Sequence, residues 1–246
     1  MGIFSRKKDS FQDDLKIPSH IAIIMDGNAR WAHAKKLPTK IGHKTGAENL
    51  RKIAENCIDL GVKYLTVYAF SSENWNRPKD EVEYLMQLLD DYLDREAKPL
   101  MEKNIRIIIS GNLEKVRQST KQKIIEIENL TKNNSALTLN VAFSYGSRQE
   151  IIDATKKLAL AVSESKISVD DITEELFSKN LYRSEMPDPD LLIRTAGDLR
   201  VSNFLLWQIA YTEFYFTKVY WPDFSKKELM LAIESFNKRE RRYGKR

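Results

Sequence analysis

The chain has 246 residues, of which 42% are hydrophobic and 30% are charged, so it can bury a sizeable core beneath an ordinary soluble surface. Its single cysteine, Cys57, excludes an internal disulfide, and no apolar run approaches the roughly 18–20 residues that span a bilayer. The first residues are too few and too charged for a signal peptide. We therefore expect a cytoplasmic protein.

The net charge of +5 favours anionic partners without specifying them. Much of the excess lies in residues 6–8 and 238–246, and such basic ends are usually only solvated. Contact with nucleic acid or with anionic lipid headgroups is the alternative, but no zinc-ligand spacing or RNA-binding signature supports the former. We expect residues 1–17 to be a flexible basic extension and residues 18–246 to be one domain.

Short apolar runs alternate along the chain with segments of helical periodicity. Strands are predicted at 20–26, 63–70, 105–110, 136–143 and 191–194, with a further strand at 213–219. Helices are predicted at 43–60, 79–103, 113–132, 147–163, 170–181 and 225–241. This alternation is typical of an α/β domain with a mostly parallel central sheet covered by helices on both faces.

Ligands of such sheets bind beyond the carboxyl ends of the strands, so the polar residues that follow each strand are of interest. The first strand ends at Asp26, and Gly27 lets the backbone approach an anion closely. A carboxylate beside an anion site requires a cation between them, and Mg²⁺ bridging Asp26 to a diphosphate would supply it. Asp26 could instead cap a helix, with Asn28 assisting.

The fifth strand is followed by a second candidate anion site. Arg194 and Arg200 flank a glycine loop and Ser202 adds a hydroxyl, which suits a second diphosphate, although surface salt bridges would look the same. Glu213 lies in an aromatic stretch and could be either a metal ligand or the partner of an arginine. After the second strand, Trp75 and Arg77 lie in a polar loop where the tryptophan could be structural or could pack on an apolar tail.

The segments HIAIIMDGNARWA, GHKTGAE, YAFSSENWNRP and LLIRTAGDLRVSNFLLWQIAYTEFYF together resemble the signature blocks of the cis-prenyltransferases, and in particular the bacterial undecaprenyl diphosphate synthases. The resemblance covers residues 18–243. It implies a homodimer with a hydrophobic tunnel that adds isopentenyl diphosphate to an allylic primer such as farnesyl diphosphate. It also implies Mg²⁺ as cofactor and transient contact with the membrane surface when product is released.

By the same resemblance, Asp26 binds the metal with Glu213 as a second ligand, and Asn74 assists proton removal. Substrates are implied to contact three groups of residues: Gly27, Asn28, Ala29, Arg30, Trp31, Thr39 and His43 at the allylic diphosphate; Ser71, Ser72, Glu73, Trp75 and Arg77 in a closing loop; and Arg194, Arg200, Val201 and Ser202 at isopentenyl diphosphate. Thr39 departs from the family, which usually has arginine there, and Lys36 and Lys40 are the two candidates to supply the charge instead.

We expect apolar residues to line or support the tunnel, although ordinary core packing would explain each of them equally well: Leu85, Leu88, Leu89, Leu93, Leu137, Leu139 and Val141. The run Asp90-Asp91-Tyr92-Leu93-Asp94 spells the metal motif of the all-helical trans-prenyl synthases, but on an amphipathic helix it indicates a salt-bridged face. A non-catalytic relative that only binds a partner is disfavoured because Asp26, Asn74 and both arginines are present.

Overall fold

Six parallel strands form the centre of the protein in the order β3-β4-β2-β1-β5-β6. They are β1 (His20–Ile24), β2 (Tyr64–Ser71), β3 (Ile105–Ser110), β4 (Leu137–Tyr145), β5 (Leu191–Arg194) and β6 (Glu213–Phe216). The computed structural model describes residues 15–239, except the side chains of residues 96 and 97. The predicted α/β class with a parallel sheet is confirmed.

Helices connect the strands and cover the sheet. They are α1 (Asn28–Ala34), α2 (Thr39–Leu60), α3 (Lys79–Glu102), α4 (Gln118–Thr131), α5 (Ser147–Ser163), α6 (Glu174–Lys179) and α7 (Lys226–Asn237). Short 3₁₀ turns lie at Ser72–Asn76, Val169–Asp171 and Trp221–Asp223. In the described part of the chain, no helix combines the length and the apolar character needed to cross a membrane.

Successive side chains point to opposite faces of the sheet, and both faces are covered, so strands β1 to β5 are largely buried on both sides while the edge strand β6 is half-buried. Ile21 and Ile23 enter the larger core, which packs against α2, α3, α4 and α7. Ala22 and Ile24 enter a second core on the other face, where the segment containing Phe204 covers them. The strands are therefore mainly apolar, with a few buried polar exceptions such as His20, Thr66, Ser110 and Asn140.

Several helix boundaries differ from those predicted. Helix α1 was not predicted, and α2 begins at Thr39 rather than at residue 43. Helix α4 begins at Gln118 rather than at residue 113. The segment predicted as one helix at 170–181 divides into a 3₁₀ turn and α6, because the Thr173 hydroxyl caps a new helix by accepting from the Leu176 N–H at 3.2 Å. The basic extension and the end of the 225–241 helix fall partly at residues 1–14 and 240–246, outside the described residues.

Candidate active site

The loop after β1 is held in a conformation that only glycine adopts without strain. Gly27 has φ of 101°, and a Cβ atom there would lie 2.7 Å from a ring carbon of Tyr220 and 2.8 Å from Cβ of Ala196. Helix α1 begins at the next residue, Asn28. The glycine therefore allows the chain to turn sharply, with Asp26 at the carboxyl edge of the sheet.

Asp26 lies between two arginines that come from distant parts of the sequence. Its carboxylate accepts from Arg194 at 2.9 Å and pairs with Arg30 at 3.0 Å. Arg30 also contacts Asp198 at 3.1 Å, and Arg200 contacts the same carboxylate at 2.9 Å. Although burial raises it, the nearby Arg200 and Arg30 charges hold the pKa of Asp198 below its ordinary value. Three guanidiniums thus share two carboxylates, which leaves positive charge for a bound anion.

Arg194 is the buried member of this network, with only 3% of its surface exposed. Its guanidinium donates to the Ser202 hydroxyl at 2.8 Å and to the Arg200 carbonyl. Ser202 and Asn203 both have positive φ, of 49° and 61°. A loop in this conformation, tied to a buried arginine, can present a hydroxyl and N–H groups to a phosphate.

The loop after β2 is ordered by local hydrogen bonds. The Asn74 side-chain oxygen accepts from the Ser71 N–H at 3.0 Å, and the Trp75 indole donates to Ser144 at 2.9 Å. Glu73 accepts from the Asn203 amide at 2.8 Å, which joins this loop to the one that follows β5. The loops after β1, β2 and β5 are therefore all joined, because Arg194 also contacts Asp26.

His43 on α2 closes the opposite side of the site. Its ring lies 3.6 Å from Glu81, while Arg77 pairs with the same carboxylate at 2.7 Å. Burial and the Arg77 charge lower the pKa of His43 below its ordinary value. A neutral imidazole near neutral pH follows from this environment.

These groups surround a polar cavity of about 560 Å³ at the carboxyl ends of β1, β2 and β5. The predicted site residues in its lining are Asp26, Asn28, His43, Ser71, Glu73, Asn74, Arg77, Arg194, Arg200 and Ser202. An apolar cavity of about 100 Å³ adjoins it and shares Met25 and Phe70 with it. The two cavities therefore place a charged binding space next to an apolar one.

Other predicted residues lie near the polar cavity without lining it. Arg30 is connected to the cavity by its ion pair with Asp26. Trp31 is buried, and the Lys35 ammonium lies 4.2 Å from the centre of its ring. Thr39 contacts His33 at 3.1 Å, and Lys40 lies over the Tyr84 ring at 5.1 Å. The remaining predicted residues outside the lining are Gly27, Ala29, Ser72, Trp75 and Val201.

Glu213 is not brought to Asp26 within one chain. It begins β6, paired in register with Leu191 at the start of β5, whereas Asp26 follows the strand end that pairs with Arg194. Its carboxylate accepts from Arg239 at 2.8 Å. The structure shows the arginine partner of Glu213, and its role as a metal ligand stays a prediction.

The residues present fit a metal shared with a ligand better than a metal held by protein alone. Among residues 15–239, no group of three or more histidine, cysteine or acidic side chains is arranged to hold an ion. Asp26 nevertheless presents a carboxylate, 28% exposed, at the cavity wall. Mg²⁺ commonly binds through one or two carboxylates together with substrate phosphates, which is what this wall offers.

Four supporting residues were not anticipated. The Thr195 hydroxyl accepts from the Asp26 N–H at 2.9 Å and lies 2.7 Å from the Asp26 carbonyl. The backbone N–H of Trp221 also donates to the Asp26 carbonyl, at 3.0 Å. The side-chain amide of Asn49 on α2 donates to the backbone carbonyl of Trp221 at 2.8 Å. Asn203 links two loops. Thr195 and Asn203 lie in the loop after β5 that the sequence already marked as a candidate anion site, so their position could have identified them. The Asn49–Trp221 contact joins residues 172 apart, and no sequence pattern indicates it.

Comparison with known proteins identifies the family. A family model described as putative undecaprenyl diphosphate synthase matches residues 24–244. An isoprenyl transferase of Fusobacterium nucleatum is 54% identical over 93% of this chain and 96% of its own length. A Micrococcus luteus protein named ditrans,polycis-undecaprenyl-diphosphate synthase, (2E,6E)-farnesyl-diphosphate specific, is 48% identical over 93% of this chain and 92% of its own.

Solved structures agree with this grouping. Lavandulyl diphosphate synthase from Lavandula x intermedia, in complex with dimethylallyl diphosphate, superposes with a TM-score of 0.90 at 37% identity, covering 93% of this chain and 98% of that one. A probable undecaprenyl diphosphate synthase from Campylobacter jejuni gives 0.78 at 35% identity, with 94% and 100% covered. The chain belongs to the cis-prenyltransferase family and is a transferase of prenyl groups.

Proposed function

We propose that this enzyme condenses isopentenyl diphosphate with farnesyl diphosphate in a Mg²⁺-dependent reaction, and that repeated cycles give undecaprenyl diphosphate for a cell-wall lipid carrier. The observation that carries the proposal is the polar cavity bounded by Asp26 and Arg194, which adjoins an apolar cavity. Diphosphates suit the first chamber and a prenyl tail suits the second. The Micrococcus luteus relative's printed specificity for farnesyl diphosphate supports the choice of primer.

The charge of the substrates explains why so many arginines meet here. Two diphosphates carry about six negative charges near neutral pH, because the last pKa of a phosphate lies near 6. Arg77, Arg194 and Arg200 all line the cavity, and Arg30 stands behind Asp26. Without cations this much negative charge could not enter a partly buried site.

We assign the allylic diphosphate to the loop containing Asp26, Gly27 and Asn28, and isopentenyl diphosphate to Arg194, Arg200 and Ser202. Mg²⁺, when bound, neutralises charge on the departing diphosphate. Asp26 would hold that ion. Hydrogen bonds from Thr195 and Trp221 fix the position of the Asp26 backbone and so of its carboxylate. Arg30 and Arg194 would then turn from Asp26 toward phosphate oxygens.

The chemical step forms a carbon–carbon bond between the two substrates. The allylic carbon–oxygen bond breaks with loss of diphosphate, the double bond of isopentenyl diphosphate attacks the allylic carbon through carbon 4, and carbon 2 loses a proton. Asn74 positions groups, because an amide is a poor base at neutral pH. Its oxygen is held by the Ser71 N–H, so its amino group faces a defined direction. A diphosphate oxygen accepts the proton.

We further propose a cytoplasmic homodimer in which one catalytic domain spans residues 18–246, with transient membrane contact during product release. Apolar side chains that are exposed on and after α5 support an interface between two copies: Ile152, Leu160, Val169 and Ile172 are 40–68% exposed. Sedimentation velocity tests this directly. We expect the wild-type protein to sediment as a dimer and Leu160→Lys to sediment as a monomer. A monomeric wild-type protein would contradict the proposed dimer.

Incorporation of radiolabelled isopentenyl diphosphate with farnesyl diphosphate as primer tests the function. We expect long polyprenyl products that disappear with EDTA and return with added Mg²⁺. Chromatography of the dephosphorylated products gives their length. No incorporation with any allylic primer would show that the chain is a non-catalytic relative.

A further inference from the structure

The segment from Gly27 to Ala47 carries positive charge and contains no acidic residue. It has five lysine and arginine residues, although the whole chain has 35 acidic residues against 40 basic ones. In the structure this segment forms α1, the turn after it and the first part of α2. Because Asn28 and His43 line the polar cavity, a basic segment borders the candidate active site.

Two aliphatic side chains are exposed in the same segment. Leu37 is 38% exposed and Ile41 is 41% exposed. Four exposed lysines lie within three residues of one of them along the chain. We call this surface group the lysine corner, and it consists of Lys35, Lys36, Leu37, Lys40, Ile41 and Lys44.

Lys36 occupies a backbone position that suits glycine better. Its φ is 57°, and it ends α1, with its own N–H donating to the His33 carbonyl at 3.0 Å and the Leu37 N–H donating to the Ala32 carbonyl at 2.8 Å. Glycine is the usual residue just after a helix C-terminus of this kind, because a side chain there is strained. The fold therefore does not explain why a lysine stands here, and a role for its charge does.

The neighbours of the lysine corner leave much of its charge available to a ligand outside the protein. Lys35 lies 3.7 Å from Asp223, but both side chains are half exposed, and exposed ion pairs are weak. Lys40 lies over the Tyr84 ring at 5.1 Å. The exposed Glu48 follows Lys44 by four residues on α2. Asp223 and Glu48 together balance only two of the four lysines.

Exposed aliphatic side chains on other helices have acidic neighbours. Ile125 on α4 is 52% exposed and precedes Glu126, and Ile152 on α5 is 48% exposed and precedes Asp153. Aliphatic groups among lysines suit an anionic bilayer instead, because headgroup phosphates attract the lysines while the aliphatic groups enter the boundary with the acyl chains. A nucleic acid would use the lysines but would leave the aliphatic groups in water.

We propose that the lysine corner docks the enzyme on an anionic lipid bilayer, with the four ammonium groups at the headgroup phosphates and Leu37 and Ile41 inserted between them. The proposal rests on the proposed function, because a product with a long hydrocarbon chain must pass from the enzyme to a membrane rather than to water. Docking at this surface places the candidate active site beside the bilayer that receives the product.

Flotation of the full-length protein with lipid vesicles tests the docking. The wild type should bind vesicles made of equal parts phosphatidylglycerol and phosphatidylcholine, should not bind pure phosphatidylcholine, and should be released by raised salt. Replacing Lys36 and Lys44 together by glutamine should weaken binding about 25-fold, because each lysine near an anionic surface contributes about five-fold in affinity. The matched control replaces Lys115 and Lys132, which are exposed near the two ends of α4, by glutamine and should bind like the wild type.

The basic ends of the chain are the competing explanation for vesicle binding. Replacing Lys7 and Lys8 together by glutamine removes the same charge from the N-terminal extension. A smaller loss there than at the lysine corner supports the proposal. An equal or larger loss would assign vesicle binding to the ends of the chain and overturn it.

The aliphatic residues distinguish a bilayer from a purely anionic partner. Leu37→Ser and Ile41→Ser should each weaken vesicle binding several-fold, because an aliphatic group that enters the interface leaves water. Ile125→Ser should bind like the wild type. If the lysine substitutions weaken binding and both serine substitutions leave it unchanged, the surface binds anions such as nucleic acid and the bilayer proposal is overturned.

Lys36→Gly separates docking from folding. Glycine relieves the strained φ, so this variant should unfold at the same temperature as the wild type or a higher one. It should nevertheless bind anionic vesicles about five-fold more weakly, because one lysine is lost. Unchanged vesicle binding would show that the charge of Lys36 does not serve docking.

A fluorescent label reports insertion directly. Cys57 is fully buried and its pKa is raised to about 12, so it should react little with a thiol-directed dye. An environment-sensitive dye on Leu37→Cys should shift its emission to the blue with anionic vesicles, and the same dye on Ile125→Cys should not. Equal shifts at both positions, or none at Leu37→Cys, would contradict insertion of the lysine corner.

Vesicle binding is measured without substrates, so its failure is distinguishable from failure of the proposed function. Incorporation of isopentenyl diphosphate by a protein that does not bind anionic vesicles would overturn the docking surface alone. Vesicle binding through the lysine corner without any incorporation would overturn the proposed function and leave the docking surface standing.

Discussion

Two polar networks occupy this sheet, and only one of them faces space for a ligand. At the carboxyl edge, Asp26 and Arg194 pair at 2.9 Å beside a cavity of about 560 Å³. On the second face, a row of side chains crosses four adjacent strands next to a cavity of about 30 Å³. The row consists of His20, Thr66, Asn140 and Ser110.

The row is satisfied within the protein. His20 contacts the Pro187 carbonyl at 2.7 Å and Thr66 at 2.8 Å, Asn140 donates to Thr66 at 3.3 Å, and Ser110 donates to Asn140 at 2.5 Å. At the carboxyl edge the partners of Asp26 are arginines that can exchange a carboxylate for a phosphate. Buried polarity alone therefore does not identify a site; exchangeable partners beside open space do.

The largest effect is expected from the carboxylate at the edge. Asp26→Ala should lower kcat by at least about 100-fold, the scale on which a single electrostatic contact to the transition state acts. Its thermal unfolding should stay close to that of the wild type, because Arg194 keeps Asp198 at 3.7 Å. Steady-state kinetics with circular dichroism measures both. Activity near the wild-type level would remove Asp26 from the mechanism.

Arg194 should show the next largest effect. Arg194→Ala removes one partner of a buried charge pair, and we expect a cost of about 2–5 kcal/mol that appears mainly as a raised KM for isopentenyl diphosphate. Arg200→Ala, at a side chain 63% exposed, should cost less. A defect confined to the KM of the primer would contradict the assignment of Arg194.

The row should affect stability rather than turnover. Burial lowers the pKa of His20 from 6.5 to about 4, so between these values the unfolded chain binds more protons than the folded one. The contribution of His20 to the free energy of unfolding should therefore be constant above about pH 6.5. It should decrease as the pH falls toward 4, by on the order of 3 kcal/mol in total. Urea unfolding of His20→Gln should show a flatter dependence over that window.

Exposed His33 provides the matched control, since His33→Gln should retain the wild-type pH dependence. A large loss of kcat in His20→Gln at pH 7.5, without a loss of stability, would show that the His20 row also takes part in turnover.

The smallest effect is expected at the aspartate-rich run on α3. Asp94 pairs with Lys123 at 2.6 Å on the surface, and Asp90 accepts from Thr120 at 2.7 Å in the helix contact with α4. Asp94→Asn should therefore leave both kcat and the Mg²⁺ requirement unchanged. A raised requirement for Mg²⁺ would show that this run binds metal after all.

Local periodicity was enough to predict all six strands, because alternating and continuous apolar runs depend only on neighbouring residues. Helix starts were less accurate. Thr173 begins a new helix through its own hydroxyl, and α1 is a seven-residue helix whose pattern is too short to detect. The His20 row went unpredicted, since its members are hydrogen-bonded to residues of other strands and to the Pro187 carbonyl, all distant in sequence.

By itself, the sequence determined that Asp26 and Arg194 each lie at or just beyond the end of a strand of a parallel sheet, and that their surroundings resemble one enzyme family. Only the tertiary structure decided that β1 and β5 are neighbours, which brings two side chains 168 residues apart to 2.9 Å. It also placed Glu213 at the other end of its strand, paired with Arg239. Strand order depends on how all helices and strands pack together, and no local pattern records it.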